Sequence, residues 1–443
     1  MTATETGAEG APPAAVTTPG LTPLARTRAI LGGSAGNLVE WYDWFAYSSF
    51  ALYFAPHFFP RGDTNAQLMQ NAAVFALGFM ARPLGAWLMG LYADRRGRRA
   101  ALAVSVGMMC FGSFAIAILP TYAQIGVWAP IGLLVARLIQ GLSVGGEYGA
   151  SATYMSEMAG RSRRGFWASF QYVTLIMGQL MALSILILLQ AVMDKPDLEA
   201  WGWRIPFVIG ALLAVVVFYI RAGMEESASY LNAKAVGAPR SQTMLLFLNY
   251  PRQTAMIFML TAAGSLAFYA YTTYMQKFLV NSAGFPKESA TWITAAALLV
   301  FMLIQPLFGW FSDRTGRKVG IALAFAGGAL ITYPVMSAIG GATSAVMATG
   351  LVTLLLITLS GYTSVSGLVK AELFPAHVRA LGVALPYAIA NALFGGTAEF
   401  VALWFVREEM EAGFYVYVAV MMAAAFVVSL ALPRNRDSLI LED

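Results

Sequence analysis

One cysteine, Cys110, and two histidines, His57 and His377, are the only thiol and the only imidazoles in this 443-residue chain. A single cysteine excludes a disulfide framework and any multi-cysteine metal site. Each histidine lies within two residues of a proline, near the expected end of an apolar run. No metal cluster, resident cofactor or bond-breaking chemistry is therefore expected. Charge is scarce as well: 12% of the residues are Asp, Glu, Lys or Arg, against about 25% in soluble proteins. With 58% hydrophobic residues, this excludes an ordinary cytosolic enzyme, a disordered chain and, despite a net charge of +5, a nucleic-acid binder. A transmembrane helix takes about 20 apolar residues, so the length accommodates a dozen spans with loops. The composition describes an all-α polytopic membrane protein.

Residues 1–25 are rich in Ala, Thr, Pro and Gly and lack the basic start and apolar run of a secretory signal. They read as a disordered cytoplasmic tail. Twelve apolar runs follow, near 29–55, 71–92, 100–120, 127–156, 166–190 and 203–221, then 254–279, 290–311, 319–340, 346–369, 382–405 and 413–432. The longest polar interval, 222–253, divides an N-terminal six-helix bundle (26–221) from a C-terminal one (254–432), and 433–443 is a short cytoplasmic tail. With the N-terminus inside, twenty of the 28 Lys and Arg residues fall in inner loops and tails, Lys370 and Arg379 among them, and five in outer ones. That bias sets both termini in the cytoplasm.

The halves repeat each other. Gly90-Leu-Tyr-Ala-Asp94-Arg95-Arg-Gly97-Arg98-Arg99 recurs 219 residues later as Gly309-Trp-Phe-Ser-Asp313-Arg314-Thr-Gly316-Arg317-Lys318, each copy after the second span of its half. Two repeated halves are what a pseudosymmetric transporter shows. An aspartate at a helix end, a glycine turn and a basic cluster make a cytoplasmic latch. Asp94, Arg95, Arg98, Asp313, Arg314 and Arg317 are its candidates.

This duplicated signature resembles the major facilitator superfamily, over roughly residues 26–435. Arg137-Leu-Ile-Gln140-Gly141 resembles its fourth-helix motif, whose arginine is associated with proton coupling in that family. Gly36-Asn37-Leu-Val-Glu40-Trp41-Tyr-Asp43, Arg82-Pro83-Leu-Gly85, Trp201-Gly-Trp203-Arg204-Ile-Pro206-Phe207 and Glu372-Leu-Phe-Pro375 with Arg379 resemble the metabolite:proton symporter branch. Ser151–Glu157, Ser169–Leu175, Thr272–Lys277 and Gly395–Glu399 are most similar to the alpha-ketoglutarate permeases within it. The resemblance implies two pseudosymmetric six-helix halves and proton-coupled uptake of alpha-ketoglutarate or a related dicarboxylate across a bacterial-type inner membrane, by a monomer. Its alternatives are citrate, shikimate, or a zwitterion such as proline or betaine.

An ionisable group inside the bilayer is costly unless paired or hydrated, so each one is a candidate functional residue. Asn37, Glu40 and Asp43, spaced three apart, should share one side of span 1 and face a central cavity. Burial disfavours the charged form of a carboxylate, which suits Glu40 or Asp43 to carry the proton; a structural ion pair with Arg82 or Arg137 is the other reading. Arg82, about eleven residues into span 2, can grip a carboxylate in a bidentate fork or pair with those acids. Arg137 reads equally as a proton-coupling residue or as the structural partner of Glu147. Arg204 reads as an interfacial anchor or a substrate ligand, and Lys277 as an attractor or a snorkelling lysine. Gln171, Tyr269, Thr273, Gln276 and Asn391 are the neutral donors expected around a small polar substrate.

Overall fold

The computed structural model describes residues 37–60, 62–96, 98–144, 163–222 and 248–433. The expected tail 1–25, nearly all of 433–443 and most of 222–253 lie outside the described residues. Twelve helical passes run through the rest. They are α1 (37–49, continued by Ala51–Phe58), α2 (Thr64–Arg96), α3 (Arg98–Ile118), α4 (Trp128–Val144), α5 (Phe170–Val192) and α6 (Ile205–Ala222). The second set is α7 (Pro251–Tyr271 with Met275–Asn281), α8 (Lys287–Thr315), α9 (Arg317–Gly340), α10 (Ala345–Thr363 with Ser366–Glu372), α11 (Ala376–Ala390, a π-turn at Asn391–Gly395, then Ala398–Arg407) and α12 (Glu411–Ser429). Among the described residues nine helices are long and apolar enough to cross a bilayer; two shorter apolar ones, within α3 and α4, and the interrupted α1 complete the twelve.

The passes pack around a largely apolar core, and their outer surface is apolar as well. Leu330 and Val346 are 77% and 82% exposed, on an apolar exterior that hydrocarbon can cover. The polar side chains Asn37, Asp43, Arg82, Arg137, Lys277 and Glu399 are buried. Within the first six passes α2 packs on α4 and α3 on α6; within the last six, α9 packs on α12 and both α8 and α9 on α10. Backbones approach closely where side chains are absent. A Cβ on Gly141 of α4 would lie 2.0 Å from the carbonyl oxygen of Gly78 on α2, the contact that small residues permit between membrane helices. Two seams join the sets, α5 with α8 and α2 with α11.

Three helices of the second set are interrupted. α7 breaks at 272–274 and α10 at 364–365, and α11 carries its π-turn at mid-length. Broken helices and π-turns in transporters accompany binding sites.

Candidate functional site

Arg82 stands at the middle of the bundle. Its residue is 5% exposed, and its guanidinium carbon lies 3.7 Å from the ring centre of Phe79, 4.1 Å from Trp44 and 5.1 Å from Trp41. Those rings hold the cation by their faces and contribute little hydrogen bonding. Nε and Nη2 of Arg82 find no hydrogen-bond partner among the described residues. Glu40, Tyr269 and Tyr387 are close enough to act on its charge. Tyr269 of α7 meets Phe79 edge-on at 5.4 Å and is hydrogen-bonded to Asn391, the first residue of the π-turn. A Cβ on Gly395 would come within 2.6 Å of Asn391 Oδ1 and 2.9 Å of the Tyr269 ring, so that glycine lets the pair close beneath Arg82. Gln171, also buried, leaves its Nε2 without a partner among the described residues.

The polar residues of α1 do not share a face as their spacing suggested. Asn37 donates to Thr174 of α5 at 3.0 Å and accepts from Trp41 Nε1 at 3.0 Å. Glu40 lies near Arg82 and Tyr269. Asp43 turns instead into its own half, accepting from Ser113 of α3 and from Gln140 Nε2 of α4 at 2.5 Å. At 3.6 residues per turn a three-residue step falls about 60° short of a full turn, so two steps rotate Asp43 about 120° from Asn37. Arg137 reaches this carboxylate through a side chain rather than directly: its Nη1 donates to Gln140 Oε1 at 2.8 Å. The guanidinium is fully buried, 3.8 Å from the Trp44 ring centre and 4.3 Å from that of Tyr47. Asp43, Gln140 and Arg137 thus form one relay across α1 and α4. Glu147 lies outside the described residues.

At both ends of the bundle, contacts join the two sets of passes. At one end Lys277 of α7, wholly buried, donates to Glu399 Oε2 at 3.1 Å on α11 and to Ser48 of α1, at 2.7 Å to its carbonyl and 2.5 Å to its hydroxyl. Farther out Lys287 pairs with Glu199 at 3.0 Å and donates to the Leu52 carbonyl at 3.1 Å. At the opposite end Asp313 of α8 accepts from the backbone N–H groups of Gly165 and Phe166, at 2.7 and 3.0 Å. Gly165 and Gly309 touch there, a Cβ on either coming within 2.4 Å of the other's carbonyl oxygen. Arg317 bridges Asp313 at 3.5 Å and Glu372 at 3.4 Å.

The remaining sequence candidates separate by depth. Gln276 donates to Thr291 of α8 at 3.2 Å and Arg204 to the carbonyls of Ala117 and Leu119 at 2.6 and 2.9 Å. These partners place both in the Lys277 end rather than beside Arg82, because each belongs to an outer turn of its helix. Thr273 is buried, with its hydroxyl unpartnered among the described residues. Arg314 lies 4.0 Å over Trp310 of its own helix. The side chains of Asp94, Arg95 and Arg98 lie outside the described residues. Two cations read as loop residues are instead buried: Lys370 within α10, and Arg379, which donates to the Phe374 carbonyl at 3.2 Å. The Lys277–Glu399 pair was not legible either, since 122 residues separate its members.

Comparison with known proteins agrees with this architecture. The family described as sugar (and other) transporter matches residues 29–245 and 235–434. The chain is 53% identical to the alpha-ketoglutarate permease of Escherichia coli K12, covering 93% of this chain and 94% of that protein. It is 34% identical to the citrate-proton symporter of Klebsiella pneumoniae, covering 84% of each. Among solved structures, the xylose transporter of E. coli in a partially occluded, inward-open conformation superposes with a TM-score of 0.74 at 18% identity, covering 93% of this chain and 98% of that one; at that identity it speaks for the fold alone.

Proposed function

Because the chain belongs to the sugar (and other) transporter family of the major facilitator superfamily, we propose that it is a proton-coupled symporter carrying alpha-ketoglutarate, or a closely related dicarboxylate, into the cell by alternating access. One observation carries the anionic substrate: a buried arginine at the seam, walled by aromatic faces, with two N–H donors unmatched among the described residues. A carboxylate would complete that fork with charge-assisted bonds. Tyr269, Asn391, Gln171 and Thr273 supply the neutral contacts, while Gln276 and Arg204 serve the outer framework. Likeness to a permease whose name specifies the keto acid narrows the anion. The proton travels on Glu40 or Asp43, and it is the only coupling ion required. The protein works as a monomer in the inner membrane, with both termini in the cytoplasm.

In that orientation Lys277, Ser48 and Glu399 close the outer mouth and Asp313 closes the inner one. Each exposure of Arg82 to one face requires one of these contacts to open while the other holds. Asp313→Asn keeps the size but removes the charge that accepts two amide bonds, so the resting population should move toward the inward-open state. Spin-label distances between the cytoplasmic ends of α5 and α8 report it, and an unchanged distribution would remove the gating role.

Reconstituted into proteoliposomes with an inward proton gradient, the protein should accumulate labelled alpha-ketoglutarate, and a protonophore should abolish accumulation. Counterflow against citrate, shikimate, proline and betaine fixes the preference. Accumulation indifferent to the protonophore overturns the coupling, and preference for one of the competitors overturns the substrate.

A further inference from the structure

Two buried guanidiniums, one at the substrate site and one in the relay, share a ring. The guanidinium carbon of Arg82 lies 4.1 Å from the ring centre of Trp44, and that of Arg137 lies 3.8 Å from it. Their other ring contacts differ: Arg82 is seated on Trp41 and Phe79, Arg137 on Tyr47 and Phe75. Trp41 and Tyr47 are three residues before and after Trp44 on α1, and Phe75 and Phe79 are one turn apart on α2. Trp44 is thus the common rung between two neighbouring cation seats. It is 1% exposed, and its indole N–H finds no acceptor among the described residues, although a buried tryptophan usually has one. Packing holds it instead. Phe75 and Phe79 meet it edge-on at 5.5 and 4.6 Å, and a Cβ on Gly78 of α2 would come within 3.1 Å of Trp44 Cη2.

Resting on the substrate site at Arg82 and the proton carrier at Asp43 proposed above, we infer that Trp44 is the positioning residue that couples the two, by sharing its π-system between the two arginines. The guanidiniums lie within electrostatic reach of each other, and like charges in a dry interior repel strongly. A ring attracts a cation through its quadrupole, and a second cation over the same ring gains less because it meets the first. With the site empty, Arg82 claims the ring, and Arg137 is compensated by Asp43 through Gln140. A carboxylate bound to Arg82 cancels that charge, so the ring becomes more favourable for Arg137. Asp43 can then take a proton without leaving Arg137 a buried, uncompensated cation. Among the described residues the groups facing Asp43 are Tyr42 on its own helix, Cys110 and Ser113 on α3, and Gln140 and Arg137 on α4. Gly210 of α6 packs against the carboxylate without a side chain. Of these groups Arg137 carries the charge, so its seat on Trp44 is where substrate binding reaches the proton.

The test replaces Trp44 site-specifically by tryptophans of increasing fluorination, which weaken the attraction of the ring for cations with little change of shape. The readout is the steady-state accumulation of labelled alpha-ketoglutarate in proteoliposomes under an imposed pH gradient, with the membrane potential clamped. That plateau is set by coupling and not by rate: each coupled proton contributes about tenfold per unit of pH, because about 1.4 kcal/mol is a decade. A ring that only fills space, or only seats Arg82, changes how fast the plateau is reached, which counterflow reports alongside. Successive fluorination should lower the plateau stepwise, and Trp44→Leu should bring it close to one. Phe79→Leu, which takes a ring from Arg82, should slow uptake but keep the plateau. Should the fluorinated proteins fail to transport, Trp44→Phe decides, since its smaller ring holds cations less well than indole: a plateau between one and that of the wild type supports the assignment, and a wild-type plateau overturns it. A plateau unchanged along the fluorinated series, or one lost equally in Phe79→Leu, overturns the assignment and leaves the symport standing. A wild-type protein with no proton-driven plateau overturns the symport and this assignment with it.

Discussion

Arg82→Ala is expected to abolish binding and uptake of the keto acid, and Arg82→Lys to raise its dissociation constant about tenfold or more, equivalent to about 1.4 kcal/mol per decade. The two variants remove different things. Alanine leaves Phe79, Trp44 and Trp41 as an apolar wall that offers an anion nothing, so the desolvation of a carboxylate goes uncompensated. Lysine keeps a positive charge but replaces the fork by a point charge, losing the paired, parallel bonds that fix a carboxylate's plane. It also stacks less well on the rings that hold the guanidinium 3.7 to 5.1 Å away. Neither variant should gain transport of proline or betaine, because a zwitterion still presents a carboxylate to the missing fork. Calorimetric titration of the purified variants measures the loss, with thermal melting to show that they remain folded. Wild-type affinity in Arg82→Lys would demote Arg82 from ligand to scaffold.

The passes were legible because lipid imposes its own code: runs of apolar residues of bilayer length, with arginines gathered in alternate loops. Arg82 and Arg137 were legible for the same reason, being charges where hydropathy forbids them. What escaped the sequence depends on three-dimensional neighbours. Lys370 follows directly on an apolar run, as a loop cation would, and only the added turns of α10 draw it inside. Lys277 and Glu399 are distant in sequence, and neither carries a pattern that names the other. The partners of Asp313 are two backbone amides, which no side-chain spacing announces. Asp43 misled for a geometric reason, since a shared three-residue step on α1 looks like a shared face but drifts around the helix with each repeat.

Asp43→Asn is expected to uncouple transport: accumulation driven by a proton gradient should fall to the equilibrium level while counterflow of the keto acid largely survives. The reasoning starts from the relay. The carboxylate of Asp43 is 1% exposed and takes its bonds from Ser113 and Gln140, with Arg137 one side chain farther on. A buried anion is tolerated there because Arg137 supplies the compensating charge through Gln140, and each member of such a network holds the next in one orientation. Protonation of Asp43 removes that charge, leaving Arg137 with its aromatic neighbours and freeing Gln140 to turn. An asparagine imitates the protonated acid in size and neutrality but can neither release nor recapture a proton. The bundle should therefore still exchange substrate across the membrane without drawing work from the gradient. Counterflow by the variant should also lose whatever dependence on pH the wild type shows. Glu40→Gln separates the two acids of α1. Glu40 acts on Arg82 and Tyr269, so its loss should change substrate affinity as well as coupling, whereas Asp43→Asn should leave affinity near that of the wild type. Accumulation ratio, counterflow rate and dissociation constant, measured together on the same preparations, discriminate these outcomes. Wild-type accumulation in both variants would remove the proton from α1 altogether.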